Sequence, residues 1–170
     1  MQPILPKTKP KRLVGIDYGM SRLGLALSDE RQIIATPFQT VQAEKKAEQT
    51  VTKILAVLSQ IQQTYSCEIE EIVIGMPLMM NGRKGFQADE VKYFVDLLSQ
   101  AIAVPIRVWD ERLSTVQAER SLRESQMTRK KRSKVVDIVS AAIILQSYLD
   151  YKQLSLERSQ SPPVITPPSS

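Results

Sequence analysis

Acidic side chains stand in apolar surroundings at three separate places along the chain. Asp17 follows Val-Gly-Ile, and Asp137 lies inside Val-Val-Asp-Ile-Val. The pair Asp110 and Glu111 follows Val-Trp. A carboxylate in such surroundings is costly unless it is paired with a cation or binds a metal. Hard cations such as Mg²⁺ are commonly held by one or two carboxylates, with water and substrate phosphate completing the shell. The three positions therefore indicate metal-dependent chemistry on phosphate groups.

Each acidic position also has an ordinary structural interpretation. Asp17 stands before Tyr-Gly and could cap a turn between two strands. The Asp110-Glu111 pair could solvate the end of a strand. Asp137 could be an acid in the first turn of a helix, where the helix dipole favours negative charge. Considered one at a time, none of the acids distinguishes a metal site from its ordinary structural role. The choice depends on where the predicted strands and helices place them.

The hydrophobic pattern predicts five strands and four helices. Alternating or short apolar runs indicate the strands, and apolar residues three or four apart indicate the helices. The predicted strands cover residues 12–17, 24–29, 33–41, 71–75 and 105–109. The predicted helices cover residues 43–63 and 88–101, a segment that begins at Ser114, and residues 134–151.

This order of elements predicts an α/β fold with a mixed five-stranded sheet, in which a three-strand meander is followed by two parallel strands. Helices would cover both faces of the sheet. Right-handed crossovers make the fourth and fifth strands parallel to the first, so their carboxyl ends share one edge with Asp17. Sites in open sheets form at that edge. Three features are predicted to lie at that edge of the sheet: Asp17, the turn after Gly75 and the Asp110-Glu111 pair. A shared site is therefore the favoured interpretation.

Length and composition predict one domain with a tail at each end. The chain has 170 residues, of which 42% are hydrophobic, enough for one sizeable core. We expect a flexible N-terminal tail over residues 1–10 and a domain over residues 11–153. The Ser- and Pro-rich residues 154–170 would form a flexible C-terminal tail.

The absence of histidine and the presence of only one cysteine narrow the chemistry. Without histidine, the commonest general base and transition-metal ligand is missing. A lone Cys67 cannot form an intrachain disulfide, which fits a reducing compartment. No apolar run is long enough to span a bilayer, and residues 1–12 lack the apolar core of a signal peptide. We therefore expect a cytoplasmic protein without a membrane partner.

Basic residues are concentrated beside two of the predicted elements. The net charge is +5, and five of the cations fall within a short run without an acid. Charge runs are usually solvated, but one that leads into the helix of Asp137 is better explained as a clamp on a phosphate backbone. A loop after the fourth strand carries two further cations, although a plain connection explains it nearly as well. The candidate nucleic-acid contacts are Arg83, Lys84, Arg129, Lys130, Lys131, Arg132 and Lys134.

No aromatic cluster is evident along the chain, so we expect the protein to recognise the shape of a nucleic acid and not its bases. Neither a Walker A motif nor a Gly-x-Gly-x-x-Gly fingerprint is present. A nucleotide-binding loop therefore has no specific support.

Four ordered motifs resemble one protein family. They are Val-Gly-Ile-Asp-Tyr-Gly with Arg-Leu-Gly-Leu-Ala at 14–26, Val-Ile-Gly-Met-Pro with Met-Asn-Gly at 73–82, Asp-Glu-Arg-Leu-Ser-Thr at 110–115, and Asp137 with Ala-Ala-Ile-Ile-Leu-Gln-Ser-Tyr-Leu at 141–149. Together they resemble the YqgF-type pre-16S ribosomal RNA nucleases, which are relatives of the RuvC-type Holliday junction resolvases. The resemblance covers about residues 13–150.

The resemblance implies a ribonuclease H-like fold and hydrolysis of phosphodiester bonds with divalent metal ions. It also implies a role in maturing the 5′ end of small-subunit ribosomal RNA, with Asp17, Glu111 and Asp137 as the acidic set. RuvC-type resolvases carry an acid at the end of the fourth strand, where this chain has Gly75. The second acid must therefore come from Glu111, or alternatively from Asp110. We expect two Mg²⁺ or Mn²⁺ ions, with Asp17 bridging them.

Two other functions are compatible with the same residues. One is an endonuclease for Holliday junctions or other branched DNA, because phosphate contacts do not distinguish the two sugars. The other is a non-catalytic RNA-binding assembly factor, in which the acids only support the fold. The expected partner is precursor ribosomal RNA or another structured nucleic acid. Both a monomer and a homodimer are compatible with the sequence.

Overall fold

The computed structural model describes the backbone of residues 7–76, 86–110 and 129–160, and the side chains of residues 7–76, 88–110 and 138–160. Arg83, Lys84, Glu111 and the helix predicted to begin at Ser114 lie outside these residues. Asp137 and the basic run of residues 129–134 are described by their backbone alone, so the contacts of their side chains stay predictions.

The elements follow the predicted order in the described part of the chain. The strands and helices are β1 (Lys11–Tyr18), β2 (Arg22–Ser28), β3 (Ala35–Gln42), α1 (Ala47–Thr64), β4 (Glu68–Met76), α2 (Phe86–Ala101), β5 (Ile106–Asp110) and α3 (Arg129–Gln160).

The strands form one five-stranded sheet in the order β3-β2-β1-β4-β5. β2 pairs with both β1 and β3 in antiparallel orientation, so the first three strands form a meander. β4 is parallel to β1 and β5 is parallel to β4. The carboxyl ends of β1, β4 and β5 therefore lie along the same edge. This arrangement confirms the predicted mixed sheet.

Side chains alternate between the two faces of the sheet and build a separate core on each. On β1, Val14 and Ile16 pack with Ile54 of α1 and Phe94 of α2. Leu13 points to the other face. There the core is completed by α3, which contributes the buried residues Ala141, Ala142, Ile144, Leu145, Tyr148 and Leu149. Helices therefore cover both faces, as the pattern predicts.

The last helix, α3, is longer than predicted at both ends. It begins at Arg129 and not at residue 134, because Arg and Lys have high helix propensity and neither Gly nor Pro interrupts the run. It ends at Gln160 and not at residue 151, so residues 154–160 are helical although we predicted them as part of a tail. The first helix-breaking residues after Asp150 are Pro162 and Pro163. Although α3 has 32 residues, neither it nor any other helix of the described ranges is apolar enough over a sufficient length to cross a membrane.

Candidate active site

Asp17 lies near the carboxyl end of β1, on the face of the sheet that α3 covers. Its neighbours Ile16 and Tyr18 both point into the opposite core, so alternation places Asp17 beside α3. The side chain is partly buried. Directly across on β2 stands Gly24. One step beyond the last β1–β4 pair, Ile16 with Ile74, the residue opposite Asp17 is Gly75. The position directly opposite Asp17 on each flanking strand is therefore a glycine, which places no side chain of its own beside the carboxylate.

α3 packs against β1 at Gly15, two residues before Asp17. A Cβ atom at Gly15 would lie 2.7 Å from Cβ of Leu145 and 2.9 Å from the carbonyl oxygen of Ala141. Atoms cannot approach that closely, so only glycine permits this contact between strand and helix. Gly15 therefore fixes how closely α3 approaches the strand that carries Asp17, and at which residue of that strand it crosses.

The direction of α3 brings position 137 to the same end of β1 as Asp17. Beyond Ala141 the helix runs toward the start of the sheet, where Lys152 Nζ lies 3.6 Å from Oε2 of Glu71. Residues before Ala141 therefore lie toward the carboxyl end of β1. Position 137 is one helical turn before Ala141 on the same face, a rise of about 6 Å. Asp17 is about 7 Å along the strand from Gly15.

Asp110 and Asp17 lie on opposite faces of the sheet. The residue before Asp110, Trp109, packs on Tyr148 of α3, so Asp110 points away from α3. Its partner in the register is Met76, which packs against the core beneath α1 and α2. Of the two acids at the end of β5, Asp110 is therefore the less suited to share a metal with Asp17.

Within the described side chains, no three Asp, Glu, Cys or His residues come together as a metal site. Glu111 lies outside the described residues, and Asp137 is described without its side chain. The three-acid set consequently stays a prediction. Two of its positions are compatible with the fold, because Asp17 lies at the carboxyl end of β1 and α3 carries position 137 to the same edge.

A polar network that the sequence analysis missed ties α3 to β4 and β5. The Glu71 carboxylate is 6% exposed, and the Tyr148 hydroxyl lies 3.0 Å from its Oε1 and 2.9 Å from its Oε2. Arg107 Nε donates to Oε1 at 2.6 Å. Glu71 is followed directly by the apolar run Ile72-Val73-Ile74 of β4, which is the signal that could have indicated a buried ion pair. The network compensates the carboxylate and holds α3 in place.

The network also changes how its members titrate. Burial, reinforced by the hydrogen bond to Glu71, raises the pKa of Tyr148 to about 12. The hydrogen bond from Arg107 to Glu71 raises the pKa of the Arg107 guanidinium. Both residues thus keep their protons throughout the neutral range. We assign this network a structural role, since it lies toward the start of β4 and not at the carboxyl edge.

An aromatic cluster on the α3 face contradicts the expectation that the protein has none. Trp109 packs on Tyr148 with 5.3 Å between ring centroids, and on Tyr151 with 5.2 Å. Trp109 is far in sequence from the two tyrosines, and only the packing of α3 on the sheet brings them together. A scan along the chain could not find them for that reason.

An acidic cavity lies on the opposite face of the sheet, beside the loop between β1 and β2. A cavity of about 490 Å³ lies between the β1–β2 loop, α1 and α2, and Glu44, Asp89 and Glu90 line it together with Lys45. Burial and the nearby Glu90 both raise the pKa of the neighbouring Tyr18. Negative charge there opposes phosphate binding, so the α3 face is the better candidate for a nucleic acid.

Solved structures with a similar fold include the Thermus thermophilus RuvC resolvase. In complex with a Holliday junction substrate it aligns with a TM-score of 0.52 and 17% identity, covering 84% of this chain and 96% of that one. A second structure of the same protein aligns with a TM-score of 0.54 and 16% identity, covering 85% and 96%. At this identity the likeness shows the fold alone, and it confirms the expected ribonuclease H-like architecture.

Relatives by sequence are much closer. A protein of Protochlamydia amoebophila named "Putative pre-16S rRNA nuclease" is 72% identical over 144 residues, which are 85% of this chain and 96% of the relative. A protein of Halothermothrix orenii with the same name is 43% identical over 141 residues, 83% of this chain and 96% of the relative. The family model described as "RuvX: Holliday junction resolvase" matches residues 11–151. This chain therefore belongs to the RuvX family, which is the YqgF-type family that the four motifs resemble.

Proposed function

We propose that the protein is a metal-dependent nuclease that hydrolyses phosphodiester bonds during maturation of the 5′ end of precursor 16S ribosomal RNA. The observation that carries this proposal is the contact of Gly15 with α3, which brings Asp17 and position 137 to one edge of the sheet. The names of the relatives supply the substrate.

Asp17, Glu111 and Asp137 are the proposed metal ligands. Asp17 fits because its partly buried carboxylate is flanked by glycines and faces α3. Glu111 is preferred to Asp110 because side chains alternate along a strand, so the residue after Asp110 returns to the face of Asp17 if the strand continues. Asp137 is proposed as a ligand because it lies one helical turn before Ala141 on α3.

Two Mg²⁺ or Mn²⁺ ions in contact with Asp17 are the arrangement we propose, with Glu111 and Asp137 each completing one site. Such ions, when bound, supply activation of a water molecule and stabilisation of the leaving oxygen. The carboxylates have to be ionised to serve as ligands. This chemistry needs no histidine, in agreement with the composition.

The RNA backbone would be held by cations on both sides of this edge. Arg83 and Lys84 follow β4 in the sequence, and the basic run of residues 129–134 forms the first turns of α3. Because α3 points its first turns toward the carboxyl end of β1, the backbone of residues 129–134 lies toward the same edge as the proposed metal site. Phosphate contacts of this kind position a substrate without reading its sequence. The site of action would be the cytoplasm.

The test is cleavage of precursor 16S RNA in the presence of Mg²⁺ by the wild type and by D17N, E111Q and D137N. We expect each variant to lose at least about 100-fold in rate, a typical scale for removal of one essential charged group. Urea unfolding without metal should show unchanged or higher stability, because each change removes a negative charge from a shared site.

Asp110→Asn is the matched control, since it makes the same chemical change at the same edge but on the opposite face. It should retain most of the activity. Equal losses in D110N and E111Q would contradict the assignment of the second ligand. Cleavage of a four-way DNA junction in preference to precursor RNA would favour the resolvase function, and folded acid variants with full activity would favour a non-catalytic role of the acids.

A further inference from the structure

Trp109 of β5 and Tyr151 of α3 form a partly exposed aromatic surface on the side of the sheet that α3 covers. Their ring centroids are 5.2 Å apart and their planes are inclined by 50°. The Tyr151 side chain is 56% exposed. Beneath them, the buried Tyr148 packs on the Trp109 ring edge to face. The aromatic surface, as we call Trp109 and Tyr151, is therefore open on one side and supported on the other.

Trp109 and Asp17 lie on the same face of the sheet and in the same row of residues, whereas Tyr151 lies on α3, toward the start of the sheet. Trp109 pairs with Gly75, which stands opposite Asp17 one step beyond the last pair of β1 and β4. Two strand spacings separate Asp17 from Trp109, about 10 Å between Cα atoms. Because the residue between them is glycine, this row of the sheet has no β4 side chain between the two positions. A nucleic acid strand lying along this edge would meet both.

The Trp109 ring is held in place by contacts and hydrogen bonds within the protein. Trp109 Nε1 donates to Oγ of Ser147 at 3.1 Å. Tyr148, on which Trp109 rests, is fixed by its hydroxyl group to Glu71. A ring that is already fixed loses little conformational entropy when a partner stacks on it. The Trp109 side of the aromatic surface is therefore preorganised.

Two cations lie next to the aromatic surface. Arg107 is two residues before Trp109 on the same face of β5, and its side chain is 63% exposed. Lys152 follows Tyr151 and lies 3.6 Å from Glu71. Arg107 uses Nε for Glu71, and its guanidinium group carries further N–H bonds on its two terminal nitrogens. A phosphate attached to a stacked base would meet positive charge here.

We propose that the aromatic surface binds an unpaired nucleotide of the substrate by stacking its base on the exposed Tyr151 ring, beside Trp109. This proposal rests on the proposed nuclease function and adds a single-stranded nucleotide to the recognised substrate. A protein partner fits less well, because a specific interface buries about 1,200 Å² or more, whereas two rings match the size of one base. Base stacking on aromatic side chains is tolerant of sequence.

The single tryptophan of the chain makes this proposal directly measurable, because Trp109 is the only source of tryptophan fluorescence. The probe is a short oligoadenylate, added in the presence of EDTA so that no cleavage occurs. The same strand annealed to oligouridylate serves as the duplex probe. We expect saturable quenching of Trp109 by the single strand, and affinity for the duplex weaker by about five-fold or more.

Tyr151→Ala should weaken binding of the single strand by about five-fold or more, the lower end of what loss of one stacking ring costs. Tyr151→Phe keeps the ring and should bind as the wild type does. Tyr93→Ala is the matched control, because Tyr93 is 51% exposed but lies on α2 at the opposite face. It should leave the affinity unchanged.

Equal affinity of Y151A and wild type, or equal affinity for single strand and duplex, would overturn the stacking proposal. Cleavage of precursor RNA by the wild type with Mg²⁺ is measured separately. If cleavage is absent while Y151A weakens binding, the nuclease function fails and the stacking site stands. If cleavage is present while Y151A binds normally, only the stacking site fails.

Discussion

Tyr148 and Glu71 are joined by a hydroxyl group that lies within 3.0 Å of both carboxylate oxygens, and this contact connects α3 to the strand β4. Both side chains are buried, Glu71 to 6% and Tyr148 to 8% exposure. A buried carboxylate needs such a donor, because an unpaired charge in an apolar core is costly. The hydroxyl group consequently does more for stability than an exposed tyrosine hydroxyl could.

We predict that Tyr148→Phe lowers the free energy of unfolding by about 1.5–3 kcal/mol, the usual value of a hydrogen bond to a charged group. The ring and its contacts with Trp109 are retained, so the loss reports the hydroxyl group alone. Urea unfolding checks this. Tyr151→Phe, which removes a hydroxyl group from an exposed ring on the same helix, should change stability by less than about 0.5 kcal/mol. Equal effects of the two variants would refute the buried hydrogen bond.

The raised pKa of Tyr148 predicts a fall of stability at alkaline pH. An unfolded tyrosine titrates near pH 10, whereas the pKa of the folded Tyr148 is about 12. Folding therefore favours the protonated hydroxyl, and the stabilisation is complete below about pH 10 and lost as pH rises toward about 12. The difference in unfolding free energy between wild type and Y148F should shrink over this interval. Burial also raises the pKa of Tyr18, but that contribution is the same in both proteins and cancels. A difference that stays constant over the whole interval would contradict the assignment.

The sequence predicts the parts of the fold that rest on local patterns. Apolar alternation locates β1 and places Asp17 at its carboxyl end. Helix-forming residues locate α1 within a few positions. The ends of α3 could not be placed in the same way, because a run of cations and a polar C-terminal segment are compatible with either coil or helix. Packing of the central turns on β1 extends the helix through both.

Contacts between distant segments could not be predicted from the pattern. Glu71, Arg107 and Tyr148 lie on three different elements, and nothing local to any of them indicates the other two. The same is true of Trp109 and Tyr151. The face of Asp110, by contrast, follows from alternation once Trp109 is known to pack on α3. The sequence pattern therefore does not contain the angle at which α3 crosses the sheet, or the distance between them.

We predict that the basic run at the start of α3 binds the phosphate backbone. Replacing Lys130 and Lys131 with Gln should flatten the slope of log affinity against log salt by about one to two units, with little dependence on RNA sequence. Lys45→Gln with Lys46→Gln is the matched control, because these two adjacent lysines are exposed and precede α1. A slope equal to that of the wild type in the first variant, measured by filter binding over a salt series, would place the RNA elsewhere.

The last prediction concerns Gly15, which sets the distance between β1 and α3. In Gly15→Ala the new Cβ atom would lie 2.7 Å from Cβ of Leu145, so α3 has to move away from the strand. We expect a loss of about 1–3 kcal/mol in unfolding free energy, as for other overpacked cores. Activity should fall further than stability explains, by about 100-fold in a fully folded sample, because small displacements of a catalytic group are this costly.

Val73→Ala provides the comparison, because Val73 is buried in the same core beneath α3 but its truncation creates space instead of a clash. It should destabilise the protein by an amount similar to that of G15A and leave α3 in place. Urea unfolding and Mg²⁺-dependent cleavage are measured for both variants below their unfolding transitions. If G15A and V73A retain the same activity, the position of α3 relative to β1 does not control catalysis. Asp137 would then not be held at the site by the contact between Gly15 and α3.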